Sequence, residues 1–147
     1  MGDSLKATFS ERISELKQEK EISSHDLATV VGVDRRTIDC WRSGDYQLQL
    51  NHAIKLADFF ECSLEYLMGR SDDVTKYTFK PCPPFYSRFL AVLGERGITT
   101  YRLRKDSPIK GGHLSKWKEG CNPLMVTLIT VANYLDVSLD YLVGRES

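Results

Sequence analysis

Apolar residues recur along the chain at intervals of three and four, the spacing that gathers side chains on one face of an α-helix. Phe9, Ile13 and Leu16 predict a first helix over residues 8–20, with an acidic, solvated opposite face. Ser23 stands before the next apolar run, with Asp26 three positions on. A serine hydroxyl there can accept an orphan backbone N–H, as in a capping box, so a second helix is predicted to reach Val31. Gly32 is placed to end it, because a left-handed turn brings glycine no Cβ clash. Asp34 is the candidate cap of a third helix that carries Ile38 and Trp41. Leu50, Ala53, Ile54 and Ala57 predict a fourth helix over 50–60, and a short fifth over 63–68 stops at Gly69. The same plan returns in the second half, with helices predicted at 85–96, 99–106, 111–119, 124–135 and 138–143.

That return is a repeat. Ser23 to Gly44 reads SSHDLATVVGVDRRTIDCWRSG and Thr99 to Gly120 reads TTYRLRKDSPIKGGHLSKWKEG, so Trp41 and Gly44 recur as Trp117 and Gly120, 76 residues later. Arg12, Ile22, Leu27 and Ile38 meet Arg88, Ile98, Leu103 and Leu114 at the same offset. Beyond Gly44 the offset falls to 75, where SLEYLMGR from Ser63 matches SLDYLVGR from Ser138. One residue has therefore been lost from the second copy. The expected fold class is all-α, with two tandem five-helix units over residues 5–70 and 85–147. Each is near the size at which a single core just sustains itself. Residues 71–84 (SDDVTKYTFKPCPP) are polar, then proline-rich, and read as a linker stiffened by Pro81, Pro83 and Pro84. Fourteen residues fully extended reach about 46 Å.

Composition narrows the class without deciding it. The 147 residues, 41% of them apolar, include no run long enough to cross a membrane. The N-terminus MGDSLK lacks the apolar core of a secretory signal, and Lys6 stands where a myristoylation signal wants Ser or Thr, so a cytoplasmic protein is expected. Cys40, Cys62, Cys82 and Cys121 lack CxxC spacing and are expected to be reduced thiols. The net charge of zero hides a division: residues 1–73 carry 9 Lys and Arg against 14 Asp and Glu, whereas residues 74–147 carry 11 against 6. The second half is therefore the more attractive to a polyanion.

The third helix carries the chemistry. At 100° per residue, Ile38 and Trp41 share one side, leaving Arg36, Asp39, Cys40 and Ser43 on the other with Arg35 and Thr37 on its flanks. A helix fits the major groove, and an arginine there can bond both acceptors of a guanine edge. The positive end of the second helix, with the free N–H groups of Ser24 and His25, can hold a phosphate. Leu27-Ala28, Gly32-Val33, Ile38, Trp41 and Gly44, followed by SLEYLMGR, resemble the Cro and phage-repressor type of helix-turn-helix, the XRE family. The resemblance covers both copies. It implies double-stranded DNA as partner, a role in transcriptional control, and a third helix in the major groove with the second across the backbone. Carried over by position, Arg35, Arg36, Thr37 and Cys40 face bases, while Lys17, Ser24 and Ser43 face phosphate.

The second copy departs where reading occurs. Gly111 and Gly112 stand at the positions of Arg35 and Arg36, and Lys110 at that of Asp34. Two glycines in a first turn cost about 1 to 2 kcal/mol against alanine. What remains, Thr100, Arg102, Lys110, His113, Lys116 and Lys118, with Arg104 and Lys105 nearby, suits phosphates better than bases. The first copy is thus expected to read sequence and the second to add electrostatic affinity, as a covalent pseudo-dimer on an asymmetric site. The rival reading is an interaction protein, such as an antitoxin, in which one copy has left DNA for a protein partner or a second copy of the chain. Metal, cofactor and enzyme readings find little support. His25, His52 and His113 lack ligand spacing. The two S-x-x-K matches, Ser14 to Lys17 and Ser115 to Lys118, have no S-D-N or K-T-G partner.

Overall fold

The computed structural model describes residues 2–44, 47–71 and 79–146. Among these are ten helices and no strand: α1 Gly2–Glu19, α2 Ser24–Val31, α3 Arg35–Ser43, α4 Leu50–Phe60, α5 Leu64–Leu67, α6 Phe85–Glu95, α7 Thr100–Asp106, α8 Gly111–Lys118, α9 Met125–Leu135 and α10 Leu139–Val143. The chain divides into two compact units, Met1–Tyr77 and Thr78–Ser147. Helix α1 begins six residues before the predicted start at Thr8. Leu5, Lys6 and Ala7 favour helix, and no proline intervenes. The other helices lie within a residue or two of their predicted bounds.

In the first unit, the core is built from Phe9, Ile13 and Leu16 of α1, Leu27 and Val31 of α2, Ile38 and Trp41 of α3, and the buried face of α4 and α5. The stripe on α4 is Leu50, Ala53, Leu56, Ala57 and Phe60; Ile54, predicted to be part of it, is only half-buried. A four-residue rotation from Ala53 leads to Ala57, so Leu56 and not Ile54 completes the buried sector. Arg12 of α1 lies 3.9 Å over the ring of buried Tyr66. The repeat has a counterpart, Arg88 over Tyr141 at 4.6 Å. Both tyrosines are therefore structural.

In the second unit, Phe89, Val92 and Leu93 of α6, Leu103 of α7, Trp117 of α8 and the apolar face of α9 and α10 form the core. Trp117 meets the rings of Phe85 and Phe89 edge-on, each at 5.3 Å. Of the segment predicted as linker, residues 72–78 lie outside the described residues, but residues 79–84 belong to this unit. Lys80 donates its backbone N–H to the Arg145 carbonyl at 2.9 Å, and the guanidinium of Arg145 lies 4.0 Å over the Phe79 ring. Pro83 packs so close to Gly144 that a Cβ there would meet its Cδ at 2.7 Å, and Gly144 also has φ +89°. Glycine is required on both counts. The buried Arg145 needs an apolar and hydrogen-bonded cover, and the start of the second unit supplies it.

Candidate nucleic-acid interface

Helices α2 and α3 are joined in three residues. The Ser23 hydroxyl accepts the Asp26 N–H at 3.1 Å and starts α2. Gly32, at φ 83°, ends it, donating its N–H to the Ala28 carbonyl at 2.8 Å. Asp34 occupies the position before α3 with an extended backbone, but its side chain makes no cap hydrogen bond, contrary to the sequence reading. The orientation of α3 is fixed instead by its buried side. Trp41 is 1% exposed, edge-on to Phe9 at 6.3 Å and tilted against His52 at 5.9 Å. The Ser10 hydroxyl donates to the Trp41 carbonyl. Burial, and then the neighbouring Lys55, hold the His52 imidazole below its ordinary pKa.

With Ile38 and Trp41 turned inward, Arg35, Arg36, Asp39, Cys40, Arg42 and Ser43 are exposed and Thr37 is half-buried. Arg35 approaches Asp39 at 3.9 Å with both side chains more than half exposed. Such a pair contributes little and yields readily to a ligand. Ser43, expected to face phosphate, is exposed, and its hydroxyl donates to the Cys40 carbonyl at 3.0 Å.

Lys17, Ser24 and one residue absent from the prediction come together at the start of α2. Arg42 donates to the Ser24 hydroxyl at 3.4 Å, and Arg42 and Lys17 line one open depression with Ser14, Gln18 and Glu21. His25 is exposed beside them. The signal for Arg42 was present in the repeat, since Lys118 is its partner at the 76-residue offset.

The second unit builds its turn differently. Thr99 accepts the Arg102 N–H at 3.1 Å, starting α7. Pro108 stands where Gly32 does, so no left-handed glycine closes the helix. Ser107 takes over: its hydroxyl donates to the Leu103 carbonyl at 2.6 Å and accepts the Ile109 N–H at 3.3 Å. His113, expected to touch DNA, is half-buried, and its Nδ1 accepts the Lys110 N–H at 2.9 Å. Its ring lies 6.1 Å from that of Trp117. This back-bond caps α8 and offsets the loss of a capping residue at Lys110 and the cost of two glycines.

Arg102 is engaged as well. Its Nε bonds Asp106 Oδ2 at 3.0 Å, and the Tyr134 hydroxyl donates to the same oxygen at 2.9 Å. The Arg102 bond, then the Tyr134 bond, hold the Asp106 carboxyl below its ordinary range, and the same contact with Asp106 raises Arg102. The pair is exposed and only Nε is engaged, so a phosphate would compete with Asp106 for this guanidinium. Lys110, Lys116 and Lys118 are exposed, while Thr100 is half-buried. Arg104 reaches over the start of α8, its guanidinium atoms 3.4 to 3.7 Å from the point where a Cβ on Gly111 would stand.

Among the described residues, no group of His, Cys, Asp and Glu could hold a metal ion, and no helix is long and apolar enough to cross a membrane. Residues 13–67 match the helix-turn-helix family model. The match runs from α1 to the end of α5, within the first unit. A search of curated proteins gives no match. Among solved structures, the crystal structure of a transcriptional regulator from Listeria innocua is similar, at 25% identity and a TM-score of 0.42 over 66% of this chain and 83% of that one.

Proposed function

We propose that this helix-turn-helix chain is a sequence-specific double-stranded DNA-binding regulator. In it the first unit reads bases through α3 and the second adds mainly phosphate contacts. The observation that carries the reading is the arrangement of α3: Ile38 and Trp41 lock one side into the core, and the side so exposed presents two arginines at the end that meets base edges in this motif. Lys17, Ser24 and Arg42 beside the start of α2 are the backbone contacts of that unit. In the second unit the exposed Lys116 and Lys118 have the same use.

That the second unit is a second helix-turn-helix is supported by matching positions. Helices α2 and α3 begin at residues 24 and 35, and α7 and α8 begin at 100 and 111. A covalent tether makes the second contact intramolecular, at an effective concentration in the millimolar range, so one chain can bind avidly. The competing reading, in which the second unit holds a protein partner, is favoured by Tyr101, which is 69% exposed on α7, and by the engagement of Arg102 with Asp106.

Binding of the intact protein and its variants to duplexes across a salt series separates these roles. Arg36→Ala is expected to cost about 1 to 3 kcal/mol on the preferred duplex and to relax one base pair. Lys116→Ala should weaken all duplexes alike and reduce the salt slope by about one unit. Equal, sequence-independent effects from both variants would refute the division between the units. A protein-binding second unit would leave the salt slope unchanged on Lys116→Ala.

A further inference from the structure

The two units differ by a paired exchange that moves a guanidinium from one helix to the other. At the 76-residue offset, Ala28 and Arg35 of the first unit correspond to Arg104 and Gly111 of the second. Ala28 is 4% exposed where α2 packs toward α3, and the arginine stands on α3. In the second unit the large residue is on α7 and the residue beneath it on α8 is glycine. The guanidinium of Arg104 occupies the space so freed, with its Nη2, Cζ and Nε 3.4, 3.5 and 3.7 Å from the Cβ position of Gly111. Both arginines of α7 are exposed; the Nε of Arg102 is held by Asp106 on its own helix, whereas Arg104 lies over the start of α8.

From this exchange we propose that Arg104 is a specificity-determining residue, the group through which the second unit reads a guanine. The inference rests on the DNA-binding reading above and revises one part of it. The glycines do not empty the reading end of α8; they let a guanidinium from the preceding helix lie across it. A guanidinium is a planar fork that can bond guanine O6 and N7 together, which a lysine ammonium cannot imitate. The second unit therefore specifies one base pair where the first specifies several, and its lysines contribute the rest as phosphate contacts.

The test is selection of the full chain on a library of random 30-base-pair duplexes, repeated with Arg104→Lys and Arg104→Ala after circular dichroism has shown that each variant keeps the parent's helix content and melting. Arg104→Lys keeps the charge and loses the fork. It is expected to lower the guanine preference at one position of the second half-site by at least about fivefold, with every position of the first half-site unchanged. Arg104→Ala should lose the same preference and some affinity. If both variants retain every base preference, Arg104 reads no base and the inference is overturned while DNA binding stands. If the unsubstituted chain enriches no sequence at all, the DNA-binding reading fails and takes the inference with it.

Discussion

Replacing Trp41 with alanine is expected to destabilise the first unit strongly and leave the second unaffected. Trp41 is 1% exposed and holds α3 against α1 through its edge contact with Phe9 and the Ser10 bond to its carbonyl. Truncating a buried tryptophan costs about 3 to 5 kcal/mol, against a total of about 4 to 10 kcal/mol for a domain of this size. The chain has two tryptophans, so in the Trp41→Ala variant the fluorescence of Trp117 reports on the second unit alone. Denaturant unfolding should show that signal unchanged, with about half of the helical circular dichroism lost at a lower midpoint. Once the first unit is unfolded, discrimination at the first half-site should be lost, leaving weaker, salt-sensitive binding with the single preference of the second unit. A single transition at the parent's midpoint would mean that the core does not depend on Trp41 as described.

Asp140→Ala is expected to destabilise the second unit by about 3 to 5 kcal/mol, because it leaves the charge of Arg145 buried without its counterion. The pair is 2.7 Å apart with side chains 1% and 2% exposed. The corresponding pair of the first unit, Arg70 and Glu65, is 3.2 Å apart and about one-fifth exposed. Arg70 and Glu65 keep about a fifth of their side-chain surface in water, so Glu65→Ala should cost less than Asp140→Ala. Thermal melting of the two variants checks the contrast, and similar losses would contradict it. The result bears on function because Arg145 anchors Phe79 and Lys80 to the second unit and so defines where that unit begins.

The path of the helices was legible because it depends on neighbours in sequence. Apolar spacing gave α4 its bounds, and Ser23 and Gly32 gave α2 its start and end, through contacts spanning three or four residues. Contacts that cross loops were not legible. Nothing in the spacing of Arg102 and Asp106 brings in Tyr134, 28 residues on. Nor does periodicity show that Phe79 covers Arg145 or that His113 turns back to cap its own helix. The exposed face of α3 was predicted correctly because two buried residues fix it. The fate of individual polar groups on such faces, Ser43 and Arg102 among them, depends on which partner is nearest in space, and a linear pattern does not encode that. Arg104 and Gly111 are the intermediate case: each substitution stands plainly in the repeat, but only the packing of α7 on α8 joins them.

Reading of duplex DNA by one chain through two unequal half-sites is open to selection of the intact protein on random duplexes at moderate salt. The expected result is enrichment of an asymmetric site, a stronger half with several specified bases and a weaker half about 10 base pairs away, one helical turn along the duplex. Enrichment of a single half-site would contradict the role given to the second unit, and the absence of any enriched sequence would contradict DNA reading by this chain altogether.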